Sequence, residues 1–466
     1  MPHSDVRLDF NMAMEEMMGE GGIRTEEVDA LSAAAKEIHR AIQAMKEVGQ
    51  LPFYHLPFEE EGAQKISKFA GECQAQFDNM VVLGIGGSAL GPRALLSALK
   101  GPYHNQLSSE QRKGAPRIFV CDSIDPDTFG QLLDSIDPKK TLFNVISKSG
   151  ETLETLAQFF VLKEMLRDRV GLRWSSHVVA TTDPTKGSLR QWAREENFAT
   201  LEIPSGVGGR FSVLSPVGLF PAALAGIEIG ELLSGARRAE NRASIPDLWV
   251  NPAYMLGALQ YLMCRKKKNV LVIMPYSERL FPLSDWYVQL WAESIGKRFS
   301  LKGEVVETGS TPLSAGGPQD QHSQLQLFME GPRDKFLLFL ILERFERSLL
   351  ISGSAIPSEN FNFLKGKDLS DVLLAEAAAT EAALQQDRRP SSKLLLPHLN
   401  AYSLGQVLFL MEAATAFAGE LFEVNPFDQP GVELGKKLAN GLLGKPGFEE
   451  FKGKVEAVKR KDQFVV

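Results

Sequence analysis

The feature that most constrains the fold is an alternation of short apolar runs with helix-forming segments, which begins at Asn79. The apolar runs cover residues 80–83, 117–121, 142–146 and 177–180, and helical patterns lie between them at 94–99 and 153–166. Glycine-rich or polar turns separate the units. Strands that alternate with helices in this way indicate a parallel, doubly wound sheet, because the connecting helices cover both faces.

A second series of the same kind follows a glycine-rich passage at 206–210. It predicts helices at 252–263 and around Glu293, and strands at 269–274, 304–307 and 335–340. We therefore predict an α/β protein with two doubly wound parallel-sheet domains and helical segments at both ends. The expected divisions are an N-terminal helical segment (1–70), a first domain (71–205), a second domain (206–400) and a C-terminal helical segment (401–466). The two domains share no close sequence repeat, so a structural duplication is a hypothesis at this point.

The composition is that of an ordinary globular protein, and it argues against several partners. The 466 residues are 44% hydrophobic and 23% charged, with a net charge of −7 and only short basic runs. Nucleic-acid and membrane-surface partners are therefore not expected, and no segment is apolar for the length of a membrane span. The three cysteines are too few and too far apart for a disulfide framework or a zinc site. We expect reduced thiols and a cytoplasmic location.

The segment 283–297 predicts a helix with a carboxylate beside an aromatic wall. Four side chains gather on its apolar face: Leu283, Tyr287, Leu290 and Trp291. Gln289 and Glu293 share the edge next to that face, four residues apart. A poorly solvated carboxylate in such a place is suited to act as a general base. The alternative is a surface helix in which Glu293 pairs with Lys297.

Residues 84–91 form a glycine-rich turn between a strand and a helix. Glycines at such a turn let backbone N–H groups and a helix N-terminus approach an anion closely. Gly84, Gly86 and Ala89 also match a dinucleotide fingerprint, which needs an acidic residue about 20 positions further on. The nearest candidate, Asp122, lies much further along the chain, so this alternative is weak. A purely structural tight turn is the third interpretation.

Residues 147–152 form a second loop between a strand and a helix. Three hydroxyl groups (Ser147, Ser149 and Thr152), one glycine and the helix N-terminal amides offer the many short donors that a phosphate monoester needs. The same residues could form only an N-cap cluster. Two such loops in one sheet favour a sugar phosphate. The chain lacks G-x-x-x-x-G-K-[ST], which argues against nucleoside triphosphate hydrolysis.

Three further residues carry weaker signals when each is taken alone. Arg210 follows two glycines and could stabilise an oxyanion, or form a salt bridge between domains. His322 stands in a polar cluster, and none of the histidines has the spacing of a metal site. Lys436 lies in a helix that starts after Pro430, where an exposed pair with Glu433 is the favoured interpretation.

Taken together, these segments resemble the phosphoglucose isomerase (glucose-6-phosphate isomerase) family in its shorter bacterial form. The family's motifs occur in order and at similar spacing over about residues 75–445: Gly84-Ile-Gly-Gly-Ser88, Ser147-Lys-Ser-Gly150, Gly208-Gly-Arg-Phe-Ser212, Gln289-x-x-x-Glu293-Ser-x-Gly-Lys297, His322 and Gln429-Pro-Gly-Val-Glu-Leu-Gly-Lys436. The resemblance implies a pair of sugar-isomerase (SIS) domains. It also implies the interconversion of glucose 6-phosphate and fructose 6-phosphate in glycolysis and gluconeogenesis, through a cis-enediolate and without a cofactor or metal.

The resemblance implies a role for each matched residue. Glu293 is the base, Gln289 binds substrate, Arg210 offsets the enediolate charge, and His322 and Lys436 open the sugar ring. The phosphate loop matches Ser147, Lys148, Ser149 and Thr152, the sugar side is lined by Gly86, Gly87 and Ser88, and Gln429 contacts the phosphate end.

The resemblance also implies an obligate homodimer with shared active sites, because the family's histidine comes from the partner subunit. Glu154 aligns with the carboxylate that orients this histidine. Glu151 departs from the family, in which threonine is common at this position. Because an acid would repel a phosphate dianion, we predict that Glu151 points to solvent.

Three alternatives to this function remain open from the sequence. A bifunctional phosphoglucose/phosphomannose isomerase would share most of these residues. A non-catalytic SIS sensor would keep the Ser147 loop but lack Glu293 and Lys436, and would carry a DNA-binding module that the sequence does not show. An NAD-linked dehydrogenase would need the acidic ribose partner discussed above.

Overall fold

The computed structural model describes residues 4–458 and 460–465. The strands are β1 Arg7–Asp9, β2 Asn79–Leu83, β3 Arg117–Cys121, β4 Thr141–Ser147, β5 Val178–Thr182, β6 Ala199–Glu202, β7 Val270–Pro275, β8 Lys297–Phe299, β9 Val305–Thr308, β10 Thr311–Ser314, β11 Lys335–Leu342 and β12 Ser391–Leu396.

The helices alternate with these strands over most of the chain. They are α1 Glu15–Met18, α2 Thr25–Glu47, α3 Glu60–Gln74, α4 Gly87–Lys100, α5 Pro126–Asp134, α6 Leu153–Val170, α7 Ser188–Glu195, α8 Pro216–Leu224, α9 Ile229–Ala243, α10 Pro252–Arg265, α11 Phe281–Ile295, α12 Gly317–Gln321, α13 Leu325–Glu330, α14 Leu369–Gln386, α15 Ala401–Leu421, α16 Glu433–Leu442 and α17 Glu449–Glu456.

The first sheet is parallel, with the strand order β3-β2-β4-β5-β6. The chain leaves β2 for β3 on one side and then crosses to β4 on the other side of β2. Connections that diverge from two neighbouring strands open a crevice at their carboxyl ends, where ligands bind in sheets of this kind. The loops after β2 and β4 therefore border the same crevice.

The second sheet has the matching order β10-β7-β11-β12-β1, and only β1 runs antiparallel to its neighbour. The prediction of an α/β protein with two doubly wound sheets is confirmed, and the matching strand orders support the hypothesis of a structural duplication. One strand assignment was wrong. The predicted strand at 304–307 corresponds to β9, which pairs with β8 in a separate hairpin, and the edge strand that pairs with β7 is β10.

Segments near both ends of the chain, the strand β1 and the helix α15, pack into this core. α15 packs against α9, α10 and α11, and almost all of its side chains are buried. Among the described helices, it alone has the length and apolar composition of a membrane span, yet 94% of the window that qualifies is buried inside the protein. β1 pairs with β12 of the second sheet. The boundaries of the four segments stay a prediction.

Candidate active site

The apolar face of α11 places Glu293 at the edge of the protein core. Tyr287, Leu290 and Trp291 are fully buried, whereas the Glu293 side chain is 31% exposed. Gln289 Nε2 donates a hydrogen bond to Glu293 Oε1 over 3.0 Å. The predicted helix and its polar edge are confirmed. The alternative pair between Glu293 and Lys297 is not formed by the carboxylate, because Lys297 donates to the main-chain oxygen of Glu293 instead.

Arg210 lies beside Glu293 and joins three segments of the chain. Its side chain is 1% exposed. Its hydrogen bonds run from Nε to Ser294 Oγ (2.7 Å), from Nη1 to Glu293 Oε2 (3.2 Å) and Gln429 Oε1 (3.0 Å), and from Nη2 to the main-chain oxygens of Pro426 and Asp428. Burial lowers the pKa of Arg210, and the nearby carboxylate of Glu293 opposes this shift. The five hydrogen bonds together give every N–H group of the guanidinium an acceptor.

Two glycines bring the first sheet's loop against these residues. A Cβ atom on Gly87 would lie 2.1 Å from the main-chain oxygen of Gly209, and one on Gly86 would lie 2.9 Å from Gln289 Nε2. Gly86 also has a φ of +57°, which favours glycine. The start of α4 therefore contacts both the turn that presents Arg210 and the helix that presents Glu293.

The predicted phosphate loop connects β4 to α6 and is partly open. Ser147 is 2% exposed, and its Oγ lies 2.8 Å from Thr152 Oγ1. Ser149 is exposed and accepts a hydrogen bond from the Glu151 amide. Thr152 precedes α6 without capping it through its side chain, so the first-turn amides of that helix remain available to an anion. Glu151 is exposed, as predicted.

Lys148 adds a cation to this loop. Its side chain is half-buried, and this burial lowers its pKa, while the nearby Asp183 carboxylate opposes the shift. A bound phosphate dianion would further favour the charged form of Lys148.

In the second sheet, β11 is the strand that corresponds to β4, and the helix that follows it is α14. This helix is capped by the chain itself, because Asp368 accepts hydrogen bonds from the amide and the hydroxyl of Ser370. The hydroxyl of Ser348 and these bonds lower the pKa of Asp368 to about 2. A carboxylate of the protein thus fills the place that the first sheet leaves open to an anion.

Two predicted site residues, His322 and Lys436, lie apart from this cluster, and a third, Gln429, makes a different contact from the one predicted. His322 follows α12, is exposed, and among the described residues has no hydrogen bond from its ring, including none to Glu154. Lys436 is 60% exposed and pairs with Glu433 at 2.8 Å, the local pair that its sequence context favours. Gln429 contacts Arg210, and no described hydrogen bond joins it to the phosphate loop.

Sequence reasoning missed several residues that hold the cluster together. Ser294 accepts from Arg210, and Lys297 and Asp428 bind each other across two segments. The only available signal was their place inside the quoted motifs, since neither spacing nor composition indicates these contacts. Among residues 4–458 and 460–465, no group of three or more His, Cys, Asp or Glu side chains is arranged to hold a metal ion.

Two matched doubly wound sheets, with a partly open loop after β4 and a glutamate–arginine pair at the glycine turn after β2, define an α/β protein of the sugar-isomerase (SIS) type. Comparison with known families identifies the family within this type. The model of the phosphoglucose isomerase family matches residues 61–456, and the chain belongs to that family.

Individual relatives agree with this assignment. The chain is 45% identical over 462 residues to a glucose-6-phosphate isomerase of Carboxydothermus hydrogenoformans, covering 99% of both chains. Among solved structures, a hypothetical protein of Thermus thermophilus is 37% identical with a TM-score of 0.83, covering 94% of this chain and 100% of that one. A glucose-6-phosphate isomerase from Chlamydia trachomatis is 28% identical with a TM-score of 0.73, covering 85% of this chain and 76% of that one.

Proposed function

We propose that the protein catalyses the reversible isomerisation of glucose 6-phosphate and fructose 6-phosphate, with Glu293 as the base. The observation that carries this proposal is the placement of Glu293 beside Arg210 and Gln289, at the point where the glycine turn of the first sheet meets α11. β2 and β4 are neighbours, so the glycine turn and the phosphate loop open at the same edge of the sheet. One sugar phosphate can therefore contact the glycine turn beside Glu293 and the phosphate loop at the same time.

The phosphate end of the substrate is assigned to the loop after β4. Four residues bind it in this proposal: Ser147, Lys148, Ser149 and Thr152. The exposed hydroxyl of Ser149, the uncapped amides of α6 and the half-buried cation of Lys148 support the assignment. The hydroxyl of Ser147 lies 2.8 Å from that of Thr152, so in this proposal Ser147 also orients Thr152. Gly87 and Ser88 at the start of α4 line the sugar side.

The chemical step is proton transfer between adjacent carbons of the open-chain sugar. Glu293 takes the proton from C2 of the aldose, the electrons of that bond form a double bond between C1 and C2, and the carbonyl oxygen becomes an oxyanion. Return of the proton to C1, with transfer of the O2 proton to O1, gives the ketose. Glu293 thus acts first as a base and then as an acid.

Arg210 compensates charge throughout this step. Before the transfer its guanidinium faces the Glu293 carboxylate, and all of its N–H groups are already occupied. Once Glu293 is protonated, that carboxylate is neutral, and the cation is instead balanced by the enediolate. Gln289 Oε1 is buried and lacks a hydrogen-bond partner among the described residues, so it is available to accept from a sugar hydroxyl.

Ring opening is assigned to His322 and Lys436, and the protein is proposed to act as a homodimer. His322 is exposed and lies outside the Glu293 cluster of its own chain, which supports a role for His322 of the partner subunit. Lys436 is exposed on α16, shortly after Gln429, so it borders the same side of the site.

A subunit-mixing experiment tests this shared site. Glu293→Gln and His322→Ala proteins are each expected to be nearly inactive. After co-refolding, a mixed dimer contains one site with both wild-type residues, so activity should reappear. If both residues acted within one chain, every site in the mixture would lack one of them, and no activity would return.

The isomerase activity is tested by a coupled assay of glucose 6-phosphate and fructose 6-phosphate, run in D₂O with a chelator present. The enediolate mechanism predicts deuterium at C2 of the aldose and C1 of the ketose, because the Glu293 proton exchanges with solvent. Turnover without deuterium incorporation would contradict the mechanism, and absence of turnover would contradict the proposed function. A parallel assay with mannose 6-phosphate measures any bifunctional activity.

We also propose that the protein acts in the cytoplasm. Cys73 and Cys121 are buried free thiols, and burial raises the pKa of Cys73 to about 11. Such thiols persist in a reducing compartment. Cell fractionation with an antibody against the protein tests this location.

A further inference from the structure

Lys297 is a buried cation that the mechanism above does not use. It begins β8, two residues after the end of α11, and its side chain is 6% exposed. Lysine is rarely buried to this extent unless its ammonium group is paired. Burial and the neighbouring Arg210 lower the pKa of Lys297, while Asp428 opposes this shift. Two cations held this close together are unfavourable, so their joint placement needs a structural reason.

Both cations bind the same turn of the chain. Lys297 Nζ donates to the main-chain oxygen of Asp428 over 2.7 Å and lies 3.4 Å from its carboxylate. Arg210 Nη2 donates to the same main-chain oxygen over 3.0 Å. Lys297 also donates to the main-chain oxygen of Glu293, one of the last carbonyl groups of α11. One ammonium group therefore connects the helix of the base to the turn at 426–429.

Apolar packing anchors only the first half of this turn. Pro426 is buried and Phe427 packs against the rings of Phe53 and Phe211. Every residue from Asp428 to Lys437 is exposed, so the position of the second half depends on its polar bonds. The hydrogen bonds of Asn425 run only to Phe427 and Asp428, within the turn itself. The turn nevertheless carries Gln429, which contacts Arg210, and it leads into α16.

We propose that Lys297 is a positioning residue of the active site, an inference that rests on the proposed isomerase function. It fixes the turn at 426–429 to the end of α11, and it thereby sets where Gln429 and Lys436 stand relative to Glu293. Lys297 does not touch the sugar. Its effect on the reaction passes through the turn.

The Lys297→Met variant tests this role in the intact enzyme, because methionine keeps an apolar stem but removes the ammonium group. We expect kcat/KM to fall by about 10²-fold, the loss that a misplacement of about 1 Å produces at reacting groups. Lys297→Arg restores a charge and donors and should recover part of this loss. The matched control is Lys302→Met. It removes an exposed lysine of the same hairpin, which pairs with Glu423, and it should leave the kinetics unchanged.

Hydrogen exchange provides a readout that does not depend on catalysis. In Lys297→Met, amides from 426 to 442 should exchange faster, while the amides of α11 before Glu293 keep their protection. Unchanged exchange in the turn would overturn the proposal. General acceleration across α11 would also overturn it, since that result indicates a role in overall stability.

A double-mutant cycle with Gln429→Ala separates action through the turn from an independent effect. If Lys297 acts through the turn, the double variant should lose little more activity than the more damaging single variant. Additive losses would overturn the proposal. If the wild-type enzyme failed to interconvert the two sugar phosphates, the proposed function would fail, whereas hydrogen exchange would still decide whether Lys297 positions the turn.

Discussion

Arg210 Nη1 lies 3.2 Å from Glu293 Oε2, in a guanidinium group that is almost completely buried. Because each N–H group of Arg210 already has an acceptor, the arginine is held rigidly and in turn orients the carboxylate. A base that is oriented before the substrate arrives needs no reorganisation when the proton moves.

Replacement of Glu293 by glutamine should abolish proton transfer while keeping the shape of the site. We expect kcat to fall by about 10²–10⁴-fold or more, the range typical of general base catalysis. Titration calorimetry with fructose 6-phosphate should show that binding persists. As a control, Glu304→Gln changes an exposed glutamate in the hairpin after α11 and should leave kcat unchanged. Near-normal turnover in Glu293→Gln with intact binding would reject Glu293 as the base.

Gly87→Ala should disrupt the contact between the first sheet's loop and the turn of Arg210. The added Cβ would lie 2.1 Å from the Gly209 oxygen, so the backbone must shift and both the thermal midpoint and kcat/KM should fall. Gly130→Ala is the matched control, because its Cβ meets nothing within 4 Å in α5. Alanine there should stabilise the protein by about 0.5–1 kcal/mol. Equal effects of the two substitutions would show that the close approach is unimportant.

Binding of the sugar phosphate should depend on pH through Lys148. The second proton of a phosphate monoester leaves near pH ~6, so affinity should rise through that range as the dianion forms. Because burial lowers the pKa of Lys148, this lysine loses its charge at a lower pH than an exposed lysine, and affinity should then decline. Titration across the pH range should show that Lys148→Met weakens binding and removes the alkaline decline. A similar change in the exposed Lys139→Met would contradict the assignment.

Glu412 should make the stability of the protein depend on pH. It lies in α15 with no solvent exposure, and neither carboxyl oxygen has a hydrogen-bond partner among the described residues. Burial raises its pKa well above the ordinary value. Because the folded state favours the protonated form, this stabilising contribution is complete below the unfolded-state pKa of Glu and is lost as the pH rises through the folded-state value.

Glu412→Gln removes this titration and keeps a similar shape. The variant should therefore gain stability relative to wild type as the pH rises from about 4.3 towards alkaline values. Thermal midpoints measured at several pH values check this trend. Glu423→Gln, an exposed change just after α15, should show no such trend. A constant difference between Glu412→Gln and wild type at all pH values would contradict the explanation.

Much of the fold could be predicted because its central strands are continuous apolar runs. β2 and β4 are completely buried, and their runs stand between turn-forming residues. β6, β10 and β12 were not predicted. β6 and β10 are short edge strands that mix polar and apolar residues, and β12 begins with two serines and a lysine. Their strand conformation depends on pairing with a partner that is distant in sequence.

The candidate site could be predicted as a set of residues but not as a set of contacts. Helical spacing correctly placed Gln289 beside Glu293, because that relationship is local. The bonds of Arg210 to Pro426, Asp428 and Gln429 join residues more than 200 positions apart, and only the tertiary fold creates them. The buried cation at Lys297 has the same origin.

The capped N-terminus of α14, the helix that follows β11, bears on how many substrate molecules each chain binds. Although the two sheets share one strand order, Asp368 already supplies the negative charge that α14 would otherwise attract. Each polypeptide is therefore expected to hold a single sugar phosphate. In the proposed reaction, the first half of the chain binds the phosphate group and the second half supplies the base.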